Sequence, residues 1–291
     1  MSHVVTLVAD PATACLTDAL IARVRDAVQG GPADLLAPGE AVDIACPAMP
    51  FAAQIDAALA GAPVDAFVTK ARGRRKGLLL ADMDSTIVAT ETLDELAAFA
   101  GIKDEIAEIT RASMNGEMDF ARALRKRVRL LKGLPLTALE RTWERTEYTK
   151  GARELVATMR AHNAYTALVS GGFTFFTGRV VAALGFDTHR ANILADNGKT
   201  LTGKVKEPIL DGDAKITALK ELARHRKLRL AATMAVGDGA NDLGMLREAG
   251  LGVAYRAKPI VAAEARAIIR HTSLRALLFA QGYRLADITQ G

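Results

Sequence analysis

The chain has 291 residues, half of them hydrophobic and 24% charged, with 38 Lys and Arg against 33 Asp and Glu. This composition supports a sizeable core, as one large domain or as about 200 residues plus a smaller unit, and the net charge of +5 is too mild to mark a nucleic-acid binder. No apolar run approaches the ~20 residues of a membrane span, the opening MSHVVTLVAD lacks the basic region of a secretory signal, and two cysteines, Cys15 and Cys46, cannot build a disulfide framework, so a reduced, cytoplasmic setting is expected.

In chain order, residues 1–76 read as a small α/β unit. Strands are predicted at Val4–Val8, Ala33–Leu36, Ala41–Ala45 and Val64–Thr69, the middle pair joined by the turn-prone Pro38-Gly39. Helices are predicted at Leu16–Val28, from apolar residues at 16, 20, 24 and 28, and at Phe51–Leu59. The order β-α-β-β-α-β is that of a ferredoxin-like unit. The basic stretch Arg72–Lys76 reads as a solvated linker, and attraction of an anionic substrate is its other reading. Beyond it, strands at Gly77–Met83, Tyr165–Ser170 and Thr233–Gly237 alternate with helices, the pattern of a doubly wound parallel sheet. The mostly helical stretch of residues 92–148 is too long for a simple crossover and reads as an inserted helical cap. Asn197-Gly198 predicts a small hairpin ahead of Lys215.

Three polar signals follow strands, where open α/β sheets bind ligands. In Leu79–Thr86 an apolar strand runs into Asp82 and Asp84, spaced so that strand alternation places both on one side. Two such charges call for a cation between them, and Mg²⁺ with oxygen ligands suits. One carboxylate can attack phosphorus while the other donates a proton and later activates water; a pair of turn-forming Asp residues at a strand exit would look the same. Ser170-Gly171-Gly172 offers a hydroxyl and free N–H groups for phosphate oxygens, though such loops are common. In Ala235–Asp242 a buried strand ends in Gly237 and is followed by Asp238, placed to bind a cation, and by Asn241 and Asp242 in the next helical turn. Lys215 falls early in a helix with Asp213 as the expected N-cap; a lysine there suits an anionic partner, and an exposed surface lysine fits as well.

These pieces occur in the chain order of the haloacid dehalogenase (HAD) superfamily of phosphatases, and residues 76–285 resemble its phosphoserine phosphatase family in particular. The resemblance rests on Asp82–Ile87 with Glu91, on Met114 with Asp119-Phe120 and Arg125–Arg127, on Val169–Phe173 and on Val236–Asp242. It implies that Asp82 is the nucleophile and Asp84 the acid/base. It implies that Mg²⁺ is bound by Asp82, the Asp84 carbonyl and Asp238, and phosphate by Ser170, Gly171 and Lys215. Glu91 would take the substrate ammonium and Arg127 its carboxylate, Met114 and Phe120 would line the cap side, and Asn241 and Asp242 would support the cation and phosphate sites. The implied activity is hydrolysis of O-phospho-L-serine, the last step of serine synthesis, with phosphotransfer to another hydroxyl or action on another small phosphorylated compound as the alternative. An inert amino-acid sensor is the non-enzymatic rival, disfavoured by the complete acidic constellation. Residues 1–72 resemble, by element order alone, the ACT-type regulatory domains attached to some members, leaving residues 76–291 as the phosphatase domain; a homodimer is a family-based expectation.

Two of these roles have support in the residues themselves. Thr92-x-x-Glu95 is a capping-box pattern, so a helix should start at Thr92 and leave Glu91 on irregular backbone near the strand exit, free to enter the pocket or to sit in solvent. On a helix from Phe120 to Leu131, Phe120, Leu124, Val128 and Leu131 share a face, with Arg122, Arg125, Lys126, Arg129 and Lys132 opposite. Arg127 alone among the basic residues lies with the apolar stripe, where a guanidinium needs an anion: a substrate carboxylate, an internal acid, or solvent reached by snorkelling.

Overall fold

The computed structural model describes residues 2–114 and 117–291, with Met114 described by its backbone alone. Its first unit has strands β1 (His3–Ala9), β2 (Ala33–Ala37), β3 (Ala41–Cys46) and β4 (Val64–Lys70), with helices Asp18–Ala27 and Ala52–Leu59. The strands form an antiparallel sheet in the order β2-β3-β1-β4. The first helix starts two residues later than its apolar spacing suggests because the Thr17 side chain caps it, accepting from the Leu20 N–H. Alternation along β1 turns Val5, Leu7 and Ala9 toward Leu20, Val24, Ile55 and Leu59 on the helices. Val8, with Ala41 and Phe67, faces the other way onto residues 276–283 of the chain's C-terminal segment.

That second face is bonded as well as packed. Asp65, 3% exposed, accepts hydrogen bonds from the backbone N–H groups of Arg270, His271 and Thr272 and from the Thr272 hydroxyl. Arg74 lies in the stretch expected to be a solvated linker, yet it is largely buried. It pairs with Asp43 and donates to Thr6 and to the carbonyls of Phe279 and Ala280. The basic run shows its charges but not the buried carboxylate on β3 that draws one of them in.

The second sheet has seven strands: β5 (Leu78–Ala81), β6 (Tyr165–Phe173), β7 (Thr188–Asp196), β8 (Leu201–Lys206), β9 (Thr233–Gly237), β10 (Leu251–Tyr255) and β11 (Ile268–Ile269). Their order is β11-β10-β9-β5-β6-β7-β8, and all neighbours are parallel except β7 and β8. The chain starts in the middle at β5, builds outward through β6 to the edge, and returns to β9 on β5's other side. That reversal leaves a crevice at the carboxyl ends of β9, β5 and β6. Leu79 and Ala81 pack toward helices Ala152–Ala161 and Thr174–Leu184, whereas Leu78 and Leu80 pack toward helices Gly212–His225 and Leu243–Glu248. Helices therefore cover both faces, and no helix among the described residues is long and apolar enough to cross a membrane.

Between β5 and the helix Ala152–Ala161 stand four helices, Thr92–Phe99, Lys103–Met114, Phe120–Leu130 and Thr137–Glu144. Their two connecting strands of chain meet at a bridge between Val88 and Tyr148. Asn197 and Gly198 turn the β7–β8 hairpin, Gly198 in the left-handed region at φ 84°. The hairpin supports the helical insertion through bonds from Gly133 N–H to the Leu201 carbonyl and from Leu136 N–H to the Lys199 carbonyl.

Asp65→Ala strands three backbone N–H groups at a buried seam, so it should lower stability by about 3 kcal/mol, read as a lower urea midpoint at unchanged slope. An unchanged midpoint would show that the seam contributes nothing.

Candidate active site

β5 ends at Ala81, two residues short of the predicted Met83, because residues 83–87 coil into a tight turn with Ser85 at φ 54°. Strand alternation therefore does not set the relation of Asp82 to Asp84. Register does the rest: Ala81 lies beside Leu168 on β6 and Val236 on β9, so the residues just beyond all three strands share one crevice. One carboxylate oxygen each from Asp82, Asp238 and Asp242 lies within 4.8 Å of the others, and all three residues are buried. This all-oxygen set fits a hard divalent cation. The Asp84 side chain is not part of that cluster, and the third carboxylate is Asp242, expected only to support the site.

Lys215 is fully buried, with its ammonium 2.7 Å from Asp82 and 2.6 Å from Asp242. The surface-lysine alternative is overturned. Burial alone would lower its pKa, but Asp242 and Asp82 outweigh burial and hold it above the ordinary value. Burial likewise raises Asp82 well above the usual carboxylate range, with Asp242 and Asp238 adding and Lys215 opposing. Burial, then Asp242 and Glu91, push Asp238 up to about 7, against a hydrogen bond from Thr86 at 3.0 Å. Helix Gly212–His225 brings Lys215 here, and its N-cap is Asp211, not Asp213: the Asp211 side chain accepts from Ala214 N–H. Gly237 is required because the Asp242 carboxylate occupies the space a Cβ would fill.

Ser170 is buried, its hydroxyl accepting from Gly172 N–H at 2.9 Å and lying 3.5 Å from Asp84 Oδ2. A Cβ on Gly171 would sit 2.8 Å from the Phe120 ring, and one on Gly172 would sit 2.7 Å from Asp84 Oδ2. Both glycines thus let insertion and core close on each other. Burial and then Glu91 push Asp84 up to about 7, although its Oδ1 accepts the Thr92 N–H at 2.9 Å. The helix does start at Thr92, but the capping box is absent. Thr92 is the first helical residue, its hydroxyl has no partner among the described residues, and the N-terminus is met by Asp84 from across the cleft.

Opposite the carboxylates, Glu91 and Arg127 project from the helical insertion. Glu91 accepts from the Ser85 hydroxyl at 2.7 Å. Arg127 is mostly buried while Arg122, Arg125, Lys126, Arg129 and Lys132 are exposed, as the helical spacing predicts. Its one described hydrogen bond reaches Thr110 at 3.3 Å, and its Nε has no partner among the described residues. Burial lowers the Arg127 pKa against the pull of Asp94, Glu91 and Asp84. Asp82, Asp84, Glu91, Phe120, Arg127, Ser170, Gly171, Asp238 and Asn241 all line one cleft of about 430 Å³. Lys215 sits beneath it; Met114's side chain lies outside the described residues. Sequence reasoning assigned no role to Thr86 or Ser85, which orient Asp238 and Glu91, although both stand inside the Asp82–Ile87 motif. It also passed over Asp211 and Asn192, which no motif marks.

A doubly wound sheet with buried carboxylates and a lysine at its switch point, roofed by a helical insertion, defines a class of phosphoryl-transfer hydrolases. Residues 79–247 match the model of the haloacid dehalogenase-like hydrolases, and the chain belongs to that family. A phosphoserine phosphatase of Archaeoglobus fulgidus is 45% identical over 188 residues, 65% of this chain and 55% of that protein, so the chain spans about half of that relative's length. A solved phospho-aspartyl intermediate analogue of phosphoserine phosphatase is 41% identical, with a TM-score of 0.66, covering 70% of this chain and 98% of that one. An unliganded probable phosphoserine phosphatase from Vibrio cholerae is 32% identical, with a TM-score of 0.80, covering 98% of this chain and 88% of that one.

Asp84 and Asp238 bind protons more tightly folded, with values near 7, than unfolded, near 3.8. Without a cation, their contribution to stability is complete below pH ~4 and lost as pH rises through ~7. A divalent cation that takes the place of the Asp238 proton should therefore raise the unfolding temperature more at pH 8 than at pH 5.5, against a chelator control. An equal or larger shift at pH 5.5 would contradict the site.

Proposed function

We propose that this chain is a Mg²⁺-dependent phosphoserine phosphatase, hydrolysing O-phospho-L-serine to L-serine and phosphate as the final step of serine synthesis. The observation that carries the substrate is the pairing of a cap carboxylate, Glu91, with a mostly buried guanidinium, Arg127, whose Nε lacks a partner among the described residues, across one cleft from Asp82. An acid for the ammonium and a fork of donors for the carboxylate recognise an amino-acid head. The phosphate would then lie against Ser170, Gly171 and Lys215. The activity of the phosphoserine phosphatase relatives and the solved phospho-aspartyl analogue support the same reading.

An oxygen of Asp82 attacks phosphorus, and the bond from phosphorus to the serine oxygen breaks. Asp84, which burial raises to about 7 so that a large share of it still carries a proton at neutral pH, gives that proton to the departing oxygen. The resulting Asp84 carboxylate takes a proton from a water whose oxygen attacks the aspartyl-phosphate, restoring Asp82 and releasing phosphate. The Lys215 ammonium, 2.7 Å from Asp82, favours the ionised nucleophile against the burial that raises its pKa. Mg²⁺, when bound through Asp82 and Asp238, supplies positive charge beside the phosphoryl oxygens. Closure of the cap over the cleft would exclude bulk water.

The same reading divides the chain into an ACT-type regulatory unit at residues 1–72 and the phosphatase domain at 76–291, capped by residues 92–148. It places the enzyme in the cytoplasm, in keeping with free Cys15 and Cys46, without a nucleic-acid partner, and as a homodimer through the N-terminal unit, whose β2 edge carries the exposed Leu35.

With Mg²⁺ and a panel of phosphate esters, phosphoserine should be the preferred substrate; preference for a sugar phosphate would reject the assignment. Asp82→Asn should abolish turnover, and Asp84→Asn should lower kcat by roughly 10²–10⁴. Arg127→Ala should lower kcat/KM for phosphoserine by roughly 10–100-fold yet leave phosphoethanolamine, which lacks the carboxylate, nearly unaffected. Equal losses on both esters would remove the carboxylate role.

A further inference from the structure

We propose that Asn192, on β7, is a positioning residue that locks the two phosphate-side elements of the cleft to each other. The proposal rests on the phosphatase reading above. Those elements are the Ser170–Gly172 segment and the start of the helix that carries Lys215.

β6 and β7 pair at Val169 with Arg190 and again at Phe173 with Asn192. Two more residues lie between these positions on β6 than on β7, so Ser170–Gly172 is pushed out of the ladder. A bulge of this kind aims side chains at a site but leaves its backbone groups without strand partners. Asn192, only 2% exposed, supplies the missing partner. Its Nδ2 donates to the Gly171 carbonyl at 2.9 Å and to the Leu210 carbonyl at 3.1 Å, and its Oδ1 accepts the Leu210 N–H at 2.7 Å.

Gly171 is one of the residues expected to hold phosphate. Leu210 immediately precedes Asp211, whose side chain caps the helix bearing Lys215. A single buried amide therefore spans two loops more than thirty residues apart in the chain, and its donors and acceptor are all engaged. Its loss would strip two part-buried carbonyls and one part-buried N–H of this partner and free the bulge to drift relative to the lysine. Asn192 lies outside the set of residues lining the cleft, so its influence is through Gly171 and Leu210. A misplacement of about 1 Å at such a site costs on the order of 10²-fold in rate.

The test compares wild type with Asn192→Ala and Asn192→Asp in the full chain with Mg²⁺. Asn192→Ala should lower kcat/KM for phosphoserine by roughly 10–100-fold and weaken inhibition by inorganic phosphate by about tenfold, while inhibition by L-serine, which meets only Glu91 and Arg127, changes by less than about twofold. Asn192→Asp keeps the acceptor for Leu210 N–H and, when protonated, one donor, so it should recover part of the phosphate affinity. Should the alanine variant fail to fold, the aspartate variant carries the test, with the same selective loss at smaller size. Unchanged phosphate inhibition, or equal weakening for phosphate and serine, would overturn the proposal. A wild type inactive on phosphoserine would instead sink the parent reading. Asn192 would then be judged from inorganic phosphate binding by calorimetry, where equal affinity in wild type and variants counts against it.

Discussion

One buried ammonium among three buried carboxylates is the constraint on which the crevice depends. Lys215 balances Asp82 and Asp242 at hydrogen-bond distance, which leaves the Asp238 side of the cluster short of positive charge. Burial makes that shortage costly, and the raised pKa values of Asp82, Asp84 and Asp238 are its expression. A cation and a phosphoryl group would complete the arrangement together: the cation would supply charge that the carboxylates lack, and the phosphoryl oxygens would meet the ammonium. The same physics explains the glycines. Gly237 makes room for Asp242, and Gly171 and Gly172 let the Phe120 ring and Asp84 approach the β6 bulge.

The cleft has two halves with different origins. The core half is built by strand ends whose register is set by a sheet buried on both faces. The other half comes from the helical insertion, joined to the core by the Val88–Tyr148 bridge and steadied by the β7–β8 hairpin. Asp84 stands between them: its carboxyl belongs to the strand exit, yet it takes up the N-terminal N–H of the insertion's first helix at Thr92. A change in the insertion's position would alter the environment of the proposed acid directly.

The N-terminal unit is attached through polar groups that would be costly to separate. Asp65 gathers three N–H groups from the segment after β11, and Arg74 links β3 to the carbonyls of the last helix. Buried ion pairs of this kind give little net stability, but removing one partner is expensive. The two units are therefore held in a defined relation.

Chain order and periodicity made the four strands of the first sheet and three strands of the second legible, though not β10 or β11. Apolar runs ending in Asp, Ser-Gly-Gly or Gly-Asp announced three strand ends that share a crevice. The spacing of Arg127 with Leu124 and Val128 separated it from five solvated basic neighbours, because a 3.6-residue period depends only on sequence distance. Pairings between distant segments were not available in this way. That Asp242, not the Asp84 side chain, completes the carboxylate cluster depends on two loops meeting over β9 and β5. That Thr92 does not cap its own helix follows from the helix turning one residue earlier, where Glu91 takes the N-cap position. Asp211 displaced Asp213 as the helix cap by a difference of two residues in where the chain turns, and Arg74 left the solvent because Asp43 lies beneath it. Asn192 shows the limit most plainly: an amide in an ordinary edge-side strand acquires a role only when a bulge on β6 and a loop before Asp211 arrive beside it. Local pattern specifies which groups a segment offers; long-range packing decides which partners reach them, since the cost of an unpaired buried group is settled only once burial is complete.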